Sequence, residues 1–187
     1  MHNNFDIDWS TLPIPEDDGG TDHLCDSQFP SVKLASTTGV DVDLSEQPGL
    51  VVVYAYPMTG TPGVALPDGW DLMPGARGCT PQSCAFRDHA AELADLGVNA
   101  VFGLSTQSLA DQVEAASRLE LPFSLLSDES LRLASAMRLP TFDVDGKRLL
   151  KRFTLVVRDS IVIKVFYPVF PPDNNASIVI NWLRDSA

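Results

Sequence analysis

Positive charge is scarce in this chain of 187 residues: 13 lysines and arginines stand against 25 aspartates and glutamates, for a formal charge of -12. Nucleic acid and anionic membrane surfaces both reward a basic patch, so neither is expected as a partner. Apolar runs are short, and none approaches the ~18–20 residues that a membrane helix needs. Met1 to Asp8 offers neither a basic start nor an apolar stretch, so no secretory signal is read there and a cytoplasmic location is expected. Cysteine is limited to Cys25, Cys79 and Cys84. An odd count in a chain of this kind excludes a structural disulfide framework and leaves reactive or buried thiols. His2, His23 and His89 lack the spacing of a nucleophile–base pair. No metal and no other cofactor is expected.

What is present reads as one domain with a loosely attached arm. No lysine or arginine precedes Lys33, whereas Asp6, Asp8, Glu16, Asp17, Asp18, Asp22 and Asp26 all do. With Pro13, Pro15, Gly19 and Gly20 among them, residues 1–28 read as an acidic, extended arm, and residues 29–187 as the folded domain. Val32 to Leu44, with Thr38-Gly39 at its centre, predicts a short hairpin. Leu50 to Tyr56 is apolar throughout and ends at Pro57, the pattern of a central strand buried on both faces. Gly60 to Gly78 predicts a long loop. Thr80 and Pro81 open a helix to about Leu96, ended by Gly97. A strand over Val98 to Leu104 follows, then a helix over Ser108 to Leu119 and a strand over Phe123 to Leu126. Asp128-Glu129 opens a further helix to about Arg138. Phe142 to Arg148 carries an Asp-Gly turn, Phe153 to Val157 pairs with Ile161 to Tyr167, and Asn174 or Asn175 caps a last helix to Trp182. This order predicts an α/β, thioredoxin-like fold: a mixed central sheet flanked by helices, with an N-terminal hairpin.

The chemistry concentrates in Gly78-Cys79-Thr80-Pro81-Gln82-Ser83-Cys84-Ala85-Phe86-Arg87-Asp88. A thiol where a loop becomes a helix meets unpaired N–H groups, and with Arg77 and Arg87 nearby both influences favour the thiolate. A second sulfur sits five positions on. Residues so spaced on an undistorted helix have Cα atoms roughly 8.5 Å apart, whereas a disulfide tolerates at most about 6.8 Å. Bonding Cys79 to Cys84 therefore requires that turn to unwind, and Pro81 helps because it contributes no N–H to the ladder. Other readings compete: two ordinary buried cysteines, or a metal site from Cys25, Cys79, Cys84 and His89, whose spacing does not suit zinc. A thioredoxin-type dithiol exchanger is a third, although it wants two intervening residues rather than four. Cys25, among acids, reads as a bystander, and His89 as pointing into solvent. Arg152, at the head of a strand, is either a solvated edge residue or a cation reaching the site.

The string from Gly78 to Asp88 resembles the peroxiredoxins, and within them the peroxiredoxin Q or bacterioferritin comigratory type. Tyr56-Pro57-Met58-Thr59-Gly60-Thr61-Pro62-Gly63 and Arg152-Phe153-Thr154 are similar to further motifs of that family, and the resemblance covers roughly Phe29 to Trp182. It implies Cys79 as the peroxidatic and Cys84 as the resolving cysteine, with Arg152 as the activating arginine. Pro57 and Thr61 would shield and hydrogen-bond the peroxide-binding site. The implied activity is reduction of hydrogen peroxide or organic hydroperoxides through a sulfenic acid and an intramolecular Cys79–Cys84 disulfide. Thioredoxin or a similar dithiol protein is the implied reductant. A redox sensor without turnover, and a thiol–disulfide exchanger, are the alternatives. Nothing marks a subunit surface, which leaves a monomer or homodimer. One departure stands out: Val64 to Gly78 intervene where the family joins Thr-Pro-Gly directly to the cysteine. Ala76, three before Cys79, has no side-chain donor, so either the insertion bulges out and leaves Thr61 at the site or another donor replaces it; the bulge is expected, because Pro57 to Gly63 keeps the pattern and its turn residues.

Overall fold

The computed structural model describes residues 7–186. Its main sheet has seven strands: β1 (Lys33–Ser36), β2 (Val42–Asp43), β3 (Leu50–Ala55), β4 (Val98–Ser105), β5 (Ser124–Ser127), β8 (Phe153–Arg158) and β9 (Ile161–Phe166). They lie in the order β2-β1-β5-β4-β3-β8-β9. β6 (Thr141–Val144) and β7 (Lys147–Leu150) pair separately around Asp145-Gly146. The helices are α1 (Cys79–Asp88), α2 (Ala90–Asp95), α3 (Leu109–Arg118), α4 (Arg132–Met137) and α5 (Asn175–Asp185). β3, β4 and β5 run parallel, joined through helices, whereas β1, β8 and β9 run antiparallel to their neighbours. This is the mixed sheet that the element order predicts.

Strand alternation sorts the core into two layers. Val52, Tyr54 and Tyr56 face one side with Cys79, Phe86, Leu93, Val156, Val179 and Ile180. Val51, Val53 and Ala55 face the other with Leu24, Leu133, Phe153 and Leu155. The first layer therefore carries α1 and α5, and with them the cysteine motif. β8 pairs antiparallel with β3, Ala55 opposite Phe153 and Tyr54 opposite Thr154. That register brings the head of β8 beside the tail of β3 and puts Arg152 on the α1 side, in step with Thr154 and Val156.

Several boundaries differ from expectation. The helix expected to run unbroken to Leu96 divides at His89, whose backbone (φ −101°, ψ 8°) leaves the helical region. The helix expected from Asp128 begins at Arg132 instead. Leu131 takes φ 58° and the Asp128 carboxylate accepts from the N–H groups of Leu133 and Ala134 at 3.0 and 2.7 Å, so the acid caps from a distance. Residues 7–28 are not loose. Leu24 is buried in the core, Gln28 bridges to Ile161, and Asp18 accepts from Lys151 and Tyr167. Asp18 is the acid there that meets a cation of the domain, and Lys151 with Tyr167 holds its carboxyl down at about 2.

Gly103 in β4 lies where a Cβ would meet Leu125 Cδ2 at 2.4 Å and the Tyr54 hydroxyl at 2.8 Å. Tyr54 in turn donates to Ser83 on α1. Gly103→Ala is expected to destabilise the protein by about 1–3 kcal/mol through overpacking, measured as a lower urea midpoint with unchanged slope.

Candidate active site

Cys79 is the first residue of α1, and its N-cap is Gly78 in a left-handed conformation (φ 107°), not Thr80. Only glycine suits that position: besides the φ, a Cβ there would stand 2.6 Å from Pro172 Cγ and 2.9 Å from Trp9 Cη2. Cys79 is 3% exposed, and its sulfur points to the Ala76 carbonyl at 3.6 Å. Arg152 Nη2 donates to it at 3.2 Å.

Arg152 is itself 3% exposed, and the register of β8 delivers it there. The same Nη2 faces the carbonyls of Gly75, Ala76 and Arg77 at 3.2, 3.1 and 3.2 Å, while Nη1 donates to Gln82 Oε1. Gln82 Nε2 donates to Asn175 Oδ1 at 2.9 Å, and Thr154 Oγ1 donates to the same oxygen at 2.7 Å. A fully buried polar chain thus runs Thr154–Asn175–Gln82–Arg152–Cys79. Gln82 stands between the two cysteines, so its bonds to Arg152 and Asn175 exist only while that turn is helical.

Cys84 lies further along α1, half-buried, and the three cysteines are all free thiols. Burial pushes the Cys84 thiol above its ordinary value of 9.0, while the Arg87 guanidinium pulls it back in part. Tyr54 stacks on Phe86 at 4.5 Å and on Tyr56 at 5.8 Å, and donates to Ser83 at 3.0 Å, which ties the middle of α1 to β3. Burial holds both tyrosine hydroxyls protonated, well above the usual range, and among the described residues the Tyr56 hydroxyl has no partner.

The sequence-expected residues do not all meet. Cys79 and Arg152 come together, with Cys84 on the same helix. Arg77 pairs with Asp71, and Arg87 with Asp88 and the Leu119 carbonyl, so neither arginine serves Cys79; the positive charge arrives from β8 instead. Pro57 is buried just beyond β3, where its carbonyl accepts from Ser105 Oγ at 2.9 Å. Thr61 lines a cavity of about 340 Å³ with Met58, Thr59, Gln107, Asp111 and Lys147. The Thr59 N–H bonds Gln107 Oε1 at 2.8 Å and the Gly60 carbonyl accepts from Arg118 at 3.0 Å, which steers the chain toward α3. The chain returns through Trp70, buried against Ala76, Val144 and Leu149, and reaches the cysteine as Pro74-Gly75-Ala76. His89 is partly in solvent and partly held: its ring contacts Glu92 Oε2 at 3.0 Å and Ser177 Oγ at 3.4 Å. Among the described residues, no group of histidine, cysteine and carboxylate side chains is arranged to hold a metal ion.

Sequence reasoning missed Gln82 and Asn175. A polar residue three positions after Cys79 on a helix shares its face, and that was the available signal for Gln82; nothing local marks Asn175. Gln82→Ala strips a partner from both Arg152 and Asn175 inside the core. The expected cost is about 1–3 kcal/mol of stability, read from denaturant unfolding of the reduced protein.

Comparison with known proteins supplies the family. The Redoxin family model matches residues 25–180. Peroxiredoxin Q, chloroplastic, of Oryza sativa subsp. japonica is 30% identical over 159 residues, which cover 84% of this chain but 65% of that protein. The chain thus spans a little under two thirds of the length of that relative. Peroxiredoxin Bcp of Escherichia coli (strain K12) is 29% identical over 167 residues, covering 84% of this chain and 94% of that one. Among solved structures, Peroxidoxin BcpB from Mycobacterium tuberculosis superposes with a TM-score of 0.69 at 28% identity, over 87% of this chain and 97% of its own. The chain belongs to the Redoxin family, as a peroxiredoxin of the Q/Bcp type.

Proposed function

We propose that the protein is a thiol peroxidase that reduces hydrogen peroxide or organic hydroperoxides. The observation that carries this reading is the Arg152 guanidinium donating to Cys79 Sγ at the head of α1. The Cys79 thiolate attacks the terminal oxygen of the hydroperoxide. An S–O bond forms, the O–O bond breaks, sulfur loses two electrons, and the departing alkoxide or hydroxide takes a proton to leave as alcohol or water. Arg152 offers its fixed positive fork to the oxygen on which charge collects.

The sulfenic acid on Cys79 is resolved by Cys84. Its sulfur attacks Cys79 Sγ, hydroxide leaves, and the Cys84 proton converts that hydroxide to water as the S–S bond forms. The first turns of α1 unwind for this step, because helical spacing keeps the two Cα atoms too far apart. A dithiol protein such as thioredoxin then restores both thiols and is itself oxidised to a disulfide. The relatives of the peroxiredoxin Q and Bcp type support this choice of substrate and reductant. A cytoplasmic setting belongs to the same proposal, since reduced thiols persist there.

The test is peroxide turnover coupled to thioredoxin. Cys79→Ser is expected to abolish it, and full activity in that variant would sink the assignment. Cys84→Ser is expected to hold a sulfenic acid after one equivalent of peroxide, detectable by mass spectrometry or a sulfenate-trapping reagent. Sustained turnover also separates this reading from a sensor, which reacts once and stalls.

A pH dependence follows from Cys84. Its thiol is raised in the folded helix, chiefly by burial, so the folded turn binds a proton more tightly than the unwound one. The stability this lends to the helical turn is complete below the ordinary thiol value and is lost as pH rises through the raised one. Closure of the disulfide is therefore expected to accelerate as pH climbs past 9.0, the unperturbed value. Stopped-flow fluorescence after a single equivalent of peroxide, repeated across pH, measures it; a closing rate that falls over that range would contradict the assignment.

A further inference from the structure

Residues 7–24 lie outside the stretch that the Redoxin model matches, yet they are laid across the beginning of α1. Trp9 opens a short 3-10 turn, Trp9–Thr11, capped by the Asp8 side chain. Its indole Nε1 donates to Asp173 Oδ2 at 2.8 Å and its ring meets Phe170 edge-on, centroids 6.1 Å apart. The far edge of that ring closes over Gly78, where an added Cβ would lie 2.9 Å from it. Pro15 covers Gly75 in the same way, 3.5 Å from an added Cβ. Beyond it, Asp18 is pinned by Lys151, the residue next to Arg152, and by the Tyr167 hydroxyl at 2.6 Å. The segment thus crosses the loop Gly75–Gly78 and is fastened on both sides of it.

That loop and the first turn of α1 are the parts that must move. Helical spacing forbids a Cys79–Cys84 bond until the turn opens, and opening displaces Gly78 from beneath Trp9. Among the described residues Trp9 makes no side-chain hydrogen bond to Cys79, Cys84 or Arg152; its ring and indole meet Gly78, Phe170 and Asp173. We propose that Trp9–Pro15 is a strap that holds the peroxidatic turn helical, with Trp9 as a positioning residue that sets how fast the Cys79 sulfenic acid passes to Cys84. The inference rests on the thiol peroxidase reading. Its consequence is a choice between two fates for the sulfenic acid. While the strap delays closure, a second hydroperoxide can attack: its O–O bond breaks, one oxygen joins the sulfur to give sulfinic acid, sulfur loses two further electrons, and alcohol or water leaves.

The test uses the full chain carrying Trp9→Ala, Trp9→Phe or Asp173→Ala. Each is mixed with one equivalent of hydrogen peroxide and, in a parallel series, with graded excess, quenched at intervals, and assayed by mass spectrometry for sulfenic acid, disulfide and sulfinic acid. Trp9→Ala is expected to close the disulfide roughly tenfold faster than the unaltered chain, with sulfenic acid formation unchanged and a correspondingly higher peroxide dose for half conversion to sulfinic acid. Trp9→Phe keeps a ring over Gly78 and is expected within about threefold of the unaltered chain, and Asp173→Ala between the two. Should Trp9→Ala not fold, Asp173→Ala carries the test, because it removes one exposed hydrogen bond. Closure at the unaltered rate in the folded variants, with a normal Cys79–Cys84 disulfide, would overturn the strap alone. Absence of that disulfide in the unaltered chain would overturn the peroxidase reading and the strap with it.

Discussion

The arrangement depends on one buried cation. Arg152 is 3% exposed, and among the described residues no carboxylate contacts its guanidinium. Removing such a group from water costs several kcal/mol unless other partners replace the lost hydration. Here the replacements are three successive backbone carbonyls, one amide oxygen and one sulfur. Of these, the sulfur alone can carry a full negative charge. The loop ahead of Cys79 is wound around the guanidinium for the same reason, and Gly75 (φ 76°) and Gly78 (φ 107°) give it the backbone freedom to present consecutive carbonyls inward.

The requirement reaches outward through the polar chain. Gln82 satisfies Arg152 on one side and Asn175 on the other, and Asn175 is held by Thr154. Arg152 and Thr154 share a strand face, so one strand and two helices meet at a single hydrogen-bonded line in an otherwise apolar layer. Such a line favours one packing of α1 against α5, because displacing either helix breaks these bonds; among the described residues Arg152 Nε and Asn175 Nδ2 have no partner even here. It also ties the position of the cation to the helical state of the turn that holds both thiols.

Much of this was legible in the residues. The apolar run of β3, the pairing of β8 with β9 about Asp159-Ser160 and the spacing of Cys79 and Cys84 on one helix could be read directly, because each follows from local pattern. Arg152 was identified as a candidate by resemblance, and the strand register explains why it arrives. What failed was the inference that closeness in sequence means closeness in charge. Arg77 and Arg87 flank Cys79 in the chain, yet helix geometry and local acids turn both away. Around Thr61 the motif is intact, and what its residues alone did not show is that Gln107 and Arg118, remote in sequence, anchor the backbone on either side of Gly60. Asn175 carried no local signal at all, since its partners lie on α1 and β8.

The pairing of β8 with β3 has a consequence for how this chain tolerates change. A strand has two sides, and moving it by a single residue exchanges them. Were β8 to slip by one place against β3, Phe153 would take the spot beside the thiol and the guanidinium would be driven into the opposite, apolar layer with Leu155 and Val157. A slip of that one strand would therefore silence the chemistry as thoroughly as losing the arginine, without altering any residue near the sulfur.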